Sequence, residues 1–231
     1  MKPYGQQIIE FLYHLNSPVG LPDGIETMNP YKNQETQKIC TEFYLKYYSD
    51  NKPRTFIIGI NPGRFGAGIT GIPFTDPIRL ESECSILNHF SKKQELSSVF
   101  IYEMIRSFGG PDEFYSNFYF TSVSPLGFVA DGKNLNYYDQ KNLQDSLLPF
   151  MVESLNAQSE FGSNKHAAIC LGGGKNFKFL QKFNEEYQFF EQIIPLPHPR
   201  FVMQYRYKRR YEFVEEYLIA LKRAISLAGD N

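Results

Sequence analysis

Four short apolar runs, at 55–60, 118–123, 167–171 and 192–196, are spaced along the chain with longer amphipathic stretches between them. Each run is too short for a buried helix and is rich in β-branched and aromatic residues, so it reads as a buried strand. Each also stops at a loop of unusual residues: Asn61-Pro62-Gly63, Ser124-Pro125-Leu126-Gly127, Gly172-Gly173-Gly174 and Pro197-His198-Pro199. Between the runs the spacing predicts helices over 35–48, where Ile39, Phe43 and Tyr47 recur every fourth residue, and over 97–107, 138–155, 175–187 and 207–227. Asp76-Pro77 reads as an N-cap and first residue of a further helix. Strands that alternate with helices imply a mostly parallel sheet covered on both faces. The expected fold class is therefore α/β: a three-layer α/β/α sandwich around a central, mostly parallel four-stranded sheet. In such sheets the ligand crevice lies outside the carboxyl ends of the strands. The loops carrying Asn61, Ser122, Gly172 and His198 are expected to converge there.

A chain of 231 residues can bury a core without staples, and with no repeat or low-complexity linker it is expected to form one domain, 1–231. The 21 Phe and 16 Tyr are assigned to core packing. Three cysteines (Cys40, Cys84, Cys170) stand far apart without a C-x-x-C pattern. That rules out a disulfide framework, a four-cysteine zinc site and a four-cysteine iron–sulfur cluster, and suits a reducing compartment. Neither a metal nor another cofactor is expected. Apolar stretches such as Phe56-Ile57-Ile58 fall far short of a membrane span. The start, Met1 to Gln7, has no apolar leader. The chain is expected to be soluble and intracellular, cytoplasmic if bacterial, and monomeric. A net charge of −1 argues against a wholly basic protein and leaves a local basic patch open.

Asn61-Pro62-Gly63 alone is a turn, but the string continues through Arg64-Phe65-Gly66 to Thr70-Gly71-Ile72-Pro73-Phe74. Its glycines allow a close backbone approach to a ligand. Phe65 and Phe74 offer faces for stacking. The Asn61 amide can orient water but cannot act as a strong base. His198 differs from His14, His89 and His166 in lying between two prolines at a strand end, where its backbone is fixed. Residues 200–210 hold Arg200, Arg206, Lys208, Arg209 and Arg210 interleaved with Phe201, Met203, Tyr205 and Tyr207, and no acid. This pattern suits a phosphate backbone with a wedge into the base stack; it equally suits a solvated helix start. The Gly172–Lys175 run lacks the P-loop frame. The amide of Gly173, ahead of a helix, could still hold a DNA phosphate.

Together these motifs resemble the uracil-DNA glycosylase superfamily, and within it the single-strand-selective monofunctional uracil-DNA glycosylase family. The first motif is Gly59-Ile60-Asn61-Pro62-Gly63-Arg64-Phe65-Gly66 with Thr70-Gly71-Ile72-Pro73-Phe74; the second begins at His198-Pro199. The resemblance implies that Asn61 holds the attacking water and that Phe74 stacks on the flipped base. The backbone around Ile60 and Gly63 lines the base's polar edge, and His198 donates to the base O2. The stretch after His198 enters the duplex. Three departures point to a divergent branch similar to the second bacterial subtype of the family. Ser122 stands where an asparagine usually reads the base, the second motif is two residues shorter, and Arg64 replaces a proline.

The implied chemistry is coherent. A base that leaves as an anion needs little nucleophile activation, and a hydrogen bond to the developing oxyanion supplies the main electrostatic stabilisation. The target base must leave the stack, so the expected partner is single- or double-stranded DNA carrying a deaminated base. Neither motif holds a catalytic lysine, which argues against a Schiff-base lyase. Ser122 reaches less far than asparagine, which enlarges the pocket. Acceptance of xanthine or hypoxanthine beside uracil is therefore expected. Two other readings stand: a non-catalytic DNA-binding protein on the same fold, and a small-molecule α/β enzyme.

Overall fold

The computed structural model describes residues 2–229, so Met1 and residues 230 and 231 of the expected domain lie outside the described residues. The first helix expected is that over 35–48, yet the N-terminal segment contains one ahead of it, α1 (Tyr4–His14). Tyr4, Ile8 and Leu12 make one buried stripe, and the prolines fall before or after it. A short strand, β1 (Glu26–Met28), leads to α2 (Gln34–Tyr47), where the Asn33 side chain accepts the Thr36 N–H as N-cap. β2 (Arg54–Gly59) is buried at every residue and runs into Asn61-Pro62-Gly63. The glycine-rich loop that follows contains one helical turn, α3 (Ala67–Thr70). Next comes α4 (Pro77–Ser82), capped as expected by Asp76, whose Oδ1 accepts the Arg79 N–H at 2.9 Å. α5 (Leu96–Phe108) and α6 (Pro111–Asn117) deliver the chain to β3 (Phe118–Ser122).

Here the structure departs from the expected helix over 138–155. A hairpin of β4 (Gly127–Ala130) and β5 (Lys133–Leu135) comes first, and α7 (Lys141–Ser159) starts later. Asp131 and Gly132 both take positive φ, at 48° and 67°, as a two-residue hairpin turn requires. β4 pairs antiparallel with both β1 and β5 in a small second sheet. β6 (Ser163–Leu171), α8 (Lys175–Tyr187), β7 (Gln192–Leu196), α9 (Pro199–Tyr205) and α10 (Arg210–Gly229) complete the described chain.

The main sheet has the order β3-β2-β6-β7, and all neighbours are parallel, as expected. Its two faces are sorted by alternation. On one, Phe56 meets Tyr119 edge-on at 5.2 Å, and the Tyr119 and Thr121 hydroxyls both donate to Gln158 Oε1 of α7. Tyr4 of α1 packs on Tyr119, and Asn176 of α8 donates to the Leu171 carbonyl at the end of β6. On the other, Phe118 meets Phe108 of α5 at 5.5 Å and Phe120 meets Phe114 of α6 at 5.3 Å. α10 lies beside α5, with Tyr217 on Phe100. The aromatic surplus therefore lines both interlayer spaces. β2 and β6 are neighbours whose onward connections lead to opposite edges of the sheet, the switch point at which α/β folds bind ligands. Among the described residues no helix is long and apolar enough to cross a membrane.

The start of β2 is pinned by Arg54, whose side chain is 1% exposed. Its Nε donates to the Tyr115 carbonyl at 2.9 Å, and Nη1 reaches the Lys52 carbonyl and Asp50. The guanidinium lies 5.5 Å from the ring centres of both Tyr4 and Tyr48. Arg54→Ala leaves a cavity and orphans the Tyr115 carbonyl, so it is expected to lower stability by about 2–4 kcal/mol. The urea midpoint should fall with an unchanged slope; a midpoint within error of wild type would show that Arg54 anchors nothing.

Candidate active site

The carboxyl ends of β2, β3 and β7, together with the β4–β5 hairpin, enclose a cavity of about 370 Å³. Asn61, Ile60, Gly63, Phe74, Ser122, His198 and Arg200 all line it, so the sequence-derived core of the site is brought together. Gly172, also expected there, braces instead of lining. Its N–H donates to the Leu196 carbonyl at 2.8 Å, and a Cβ at this position, where φ is 115°, would meet Asn176 and His198.

Asn61 is fixed at both ends of its amide. Its Oδ1 accepts the Tyr137 N–H and its Nδ2 donates to the Leu135 carbonyl, each at 3.0 Å. Nδ2 also reaches the Pro62 carbonyl at 3.4 Å, so what remains to face a ligand is one lone pair of the amide oxygen. Phe74 sits at the end of the glycine loop with φ of 56°, a left-handed conformation that a phenylalanine adopts only under constraint. The constraint is visible: its ring lies over Gly59, where a Cβ would come within 3.0 Å, and packs on Phe120 at 5.2 Å and His198 at 6.1 Å. Ser122 ends β3 beside Gly59, buried, with a hydroxyl that forms no hydrogen bond to the protein among the described residues. The Ile60 carbonyl already accepts the Ser124 N–H at 3.2 Å, and the Gly63 carbonyl accepts the Gly68 N–H at 2.9 Å. The glycine loop thus spends part of its polar backbone on its own fold.

His198 is the N-cap of α9. Its Nδ1 accepts the Arg200 N–H at 3.2 Å, which puts the ring proton on Nε2. Burial, helped by the nearby Arg200 guanidinium, pushes its pKa down to about 4. His198 is therefore a neutral hydrogen-bond donor at physiological pH. The Tyr217 hydroxyl donates to the Pro197 carbonyl and holds the preceding residue in place.

Several expected site residues lie elsewhere. Phe65 does not line the cavity; it is 45% exposed, with the Arg64 and Lys93 cations over its ring. Met203 is only 9% exposed because α9 turns it into the core, so it presents no wedge to DNA. The stretch after His198 is not an open loop, since Pro199 starts α9 at its first position. Arg209 pairs with Glu212 and Arg210 with Glu103, which offsets part of the basic charge. Phe201, Arg206 and Lys208 are exposed, with Arg206 over the Phe201 ring. Gly173 is away from the cavity, with open space around its Cα.

The structure adds Glu95, Ser97, Asn134 and Asn136 to the lining. Asn134 accepts the Arg64 N–H through Oδ1. Asp131-Gly132 between Phe128-Val129-Ala130 and Asn134-Leu135 was the legible signal for the hairpin that carries the two asparagines. Glu95, just before α5, had no such signal. It is half-buried at the cavity wall, and burial with Asp76 nearby pushes its carboxyl up to about 7, against the opposing pull of Arg200.

The His198 shift has a testable sign. Unfolded chain takes up a proton near 6.5 and folded chain only near 4, so stability should fall as pH drops through that window. The His198 ring resonances should titrate with a midpoint near 4; a midpoint near 6.5 would contradict the buried neutral ring.

The family model of the uracil DNA glycosylase superfamily matches residues 45–222. The chain is similar to the wild-type SMUG2 of Pedobacter heparinus, whose crystal structure it matches at 45% identity and a TM-score of 0.95. That match covers 98% of this chain and 100% of the other. With most of its length matched and its fold shared at this identity, the chain belongs to the uracil-DNA glycosylase superfamily.

Proposed function

We propose that the chain is a monofunctional DNA glycosylase that releases uracil, and deaminated purines such as xanthine and hypoxanthine, from DNA. The observation that carries this reading is the pairing of a clamped Asn61 with a neutral His198 on one cavity beside Phe74. A flipped base stacks on Phe74, with Ser122 and the Ile60–Gly63 backbone along its polar edge. The N1–C1′ bond breaks and its electron pair leaves with the base. The Nε2–H of His198 hydrogen-bonds O2 as negative charge collects there, and His198 keeps its proton. Water held on Asn61 Oδ1 adds to C1′ and releases its proton to solvent. The polar groups are oriented before the base arrives, so little reorganisation accompanies bond breaking. No lysine is among the residues lining the cavity, which supports hydrolysis without a lyase step. Arg200, Phe201, Arg206 and Lys208 would meet the DNA strand beside the cavity.

The test uses labelled single- and double-stranded oligonucleotides, each with one uracil, xanthine, hypoxanthine or thymine. Strand breakage only after alkali is expected for uracil and the deaminated purines. DNA binding with no release of any base would make the chain a non-catalytic DNA-binding protein instead.

Asn61→Ala and His198→Ala are each expected to lower the single-turnover rate about 10²–10³-fold while DNA affinity changes far less. Arg206→Ala or Lys208→Ala should weaken binding across sequences and reduce the salt slope by about one. Full rate in His198→Ala would overturn the mechanism.

A further inference from the structure

The residues lining the cavity include three that ionise: His198, Arg200 and Glu95. A guanidinium serves as a fixed donor, and His198, its pKa pushed down to about 4, is a neutral imidazole at physiological pH. Glu95 alone in this set can hand over a proton under physiological conditions. Its carboxyl lies against the loop that follows Asn61. A Cβ at Gly66 would come within 2.0 Å of Oε2, and one at Gly63 within 4.0 Å of Oε1. Among the described residues no group donates a hydrogen bond to either oxygen, whereas the backbone N–H of Glu95 is held by Asp76 Oδ2 at 2.9 Å. The carboxyl is thus positioned and left without an internal partner.

We infer that Glu95 is the acid of this site: its carboxyl, which lines the same cavity as Asn61 and His198, delivers a proton to N7 of a flipped deaminated purine. The inference rests on the proposed glycosylase reading and goes beyond it in separating purines from uracil. Uracil has no ring nitrogen corresponding to N7, and its leaving charge spreads onto O2, where His198 suffices. A departing purine carries charge into its imidazole ring, where N7 takes a proton. The N9–C1′ bond breaks with its electron pair on the base, the Glu95 proton moves to N7, and the base leaves neutral. Water then adds to C1′, and its proton returns to the Glu95 carboxylate.

The charges that act on Glu95 are few. Asp76, at the start of α4, favours the protonated form, and its own carboxylate is engaged by the Arg79 N–H and guanidinium. Arg200 of α9 favours the ionised form. His198 is uncharged, and Arg64 and Lys93 are turned to the Phe65 ring. Burial dominates and holds the carboxyl near 7, and approaching DNA phosphates raise it further. A carboxyl held near 7 keeps a substantial protonated fraction at neutral pH.

The experiment compares single-turnover release of hypoxanthine and uracil from single strands between pH 5.5 and 9, for wild type and Glu95→Gln. In wild type the hypoxanthine-to-uracil rate ratio should fall at least about tenfold above the acid's titration. Glu95→Gln should cut that ratio about 10²-fold at pH 6 and make it independent of pH. 7-Deazahypoxanthine, which lacks N7, should be released more slowly than hypoxanthine by wild type and at the same rate by Glu95→Gln. Glu95→Gln should also melt higher than wild type at pH 8 and not at pH 5. A raised carboxyl destabilises the fold as pH rises from 4.5 through 7, and glutamine does not. Should Glu95→Gln fail to fold, the wild-type pH profile and the deaza comparison decide. A pH-independent ratio, an equal loss for both bases in the variant, or uracil release with no purine release at any pH would overturn the role of Glu95. Release of no base at all would instead sink the glycosylase reading beneath it.

Discussion

The double hydrogen bond of the Asn61 amide is the constraint on which the site depends. It joins the loop at the end of the central strand β2 to the last residue of β5 and to the backbone just beyond it, and so couples the main sheet to the small one. Each bond is worth about 1 kcal/mol net, so its value is orientation more than stability. Through it the hairpin is placed over the cavity. Asn134 then takes the Arg64 N–H, and β1 is carried along by its pairing with β4. Asn61 cannot swing away to be re-aimed by a ligand without breaking both contacts.

The other site groups are held in the same manner, by partners that leave one functional atom free. His198 spends Nδ1 on the first turn of α9 and keeps Nε2–H for the cavity. Phe74 is forced into left-handed backbone by the loop that frames it and rests on Phe120 and the face of Gly59. Ser122 is set by its register with Gly59. A site whose dipoles are fixed in advance stabilises developing charge without reorganising, which is where most electrostatic catalysis comes from. Glu95 differs: its backbone is held by Asp76, and among the described residues no donor meets its carboxyl.

The main sheet and the strand-end residues were legible in the sequence because buried parallel strands are nearly continuous apolar runs, and loops that follow them must carry the polar groups. Asp76-Pro77 fixed its helix start by capping chemistry alone. What was missed lacks a local signature or has one easily overruled. α1 was hidden by the prolines around it. The β4–β5 hairpin hung on one Asp-Gly pair, beside a predicted helix. α9 begins with a histidine cap, outside the usual capping residues, and its apolar Met203 reads from sequence as readily as a wedge as a core residue. Glu95 owes its character to enclosure by segments distant in sequence, Asp76 and Arg200 among them, and no window around residue 95 contains that.

On this reading the cavity is a flipped-base pocket assembled on a preset Asn61 and His198. The most direct measurement is a crystal structure with a single strand carrying 2′-fluoro-arabinouridine, whose fluorine slows cleavage. The expected result is a uracil on the Phe74 face with O2 toward His198 Nε2, a water on Asn61 Oδ1, and the bonds to Leu135 and Tyr137 unchanged. A strand bound with its uracil outside the cavity, or an Asn61 amide that has let go of the hairpin to meet the base, would contradict it.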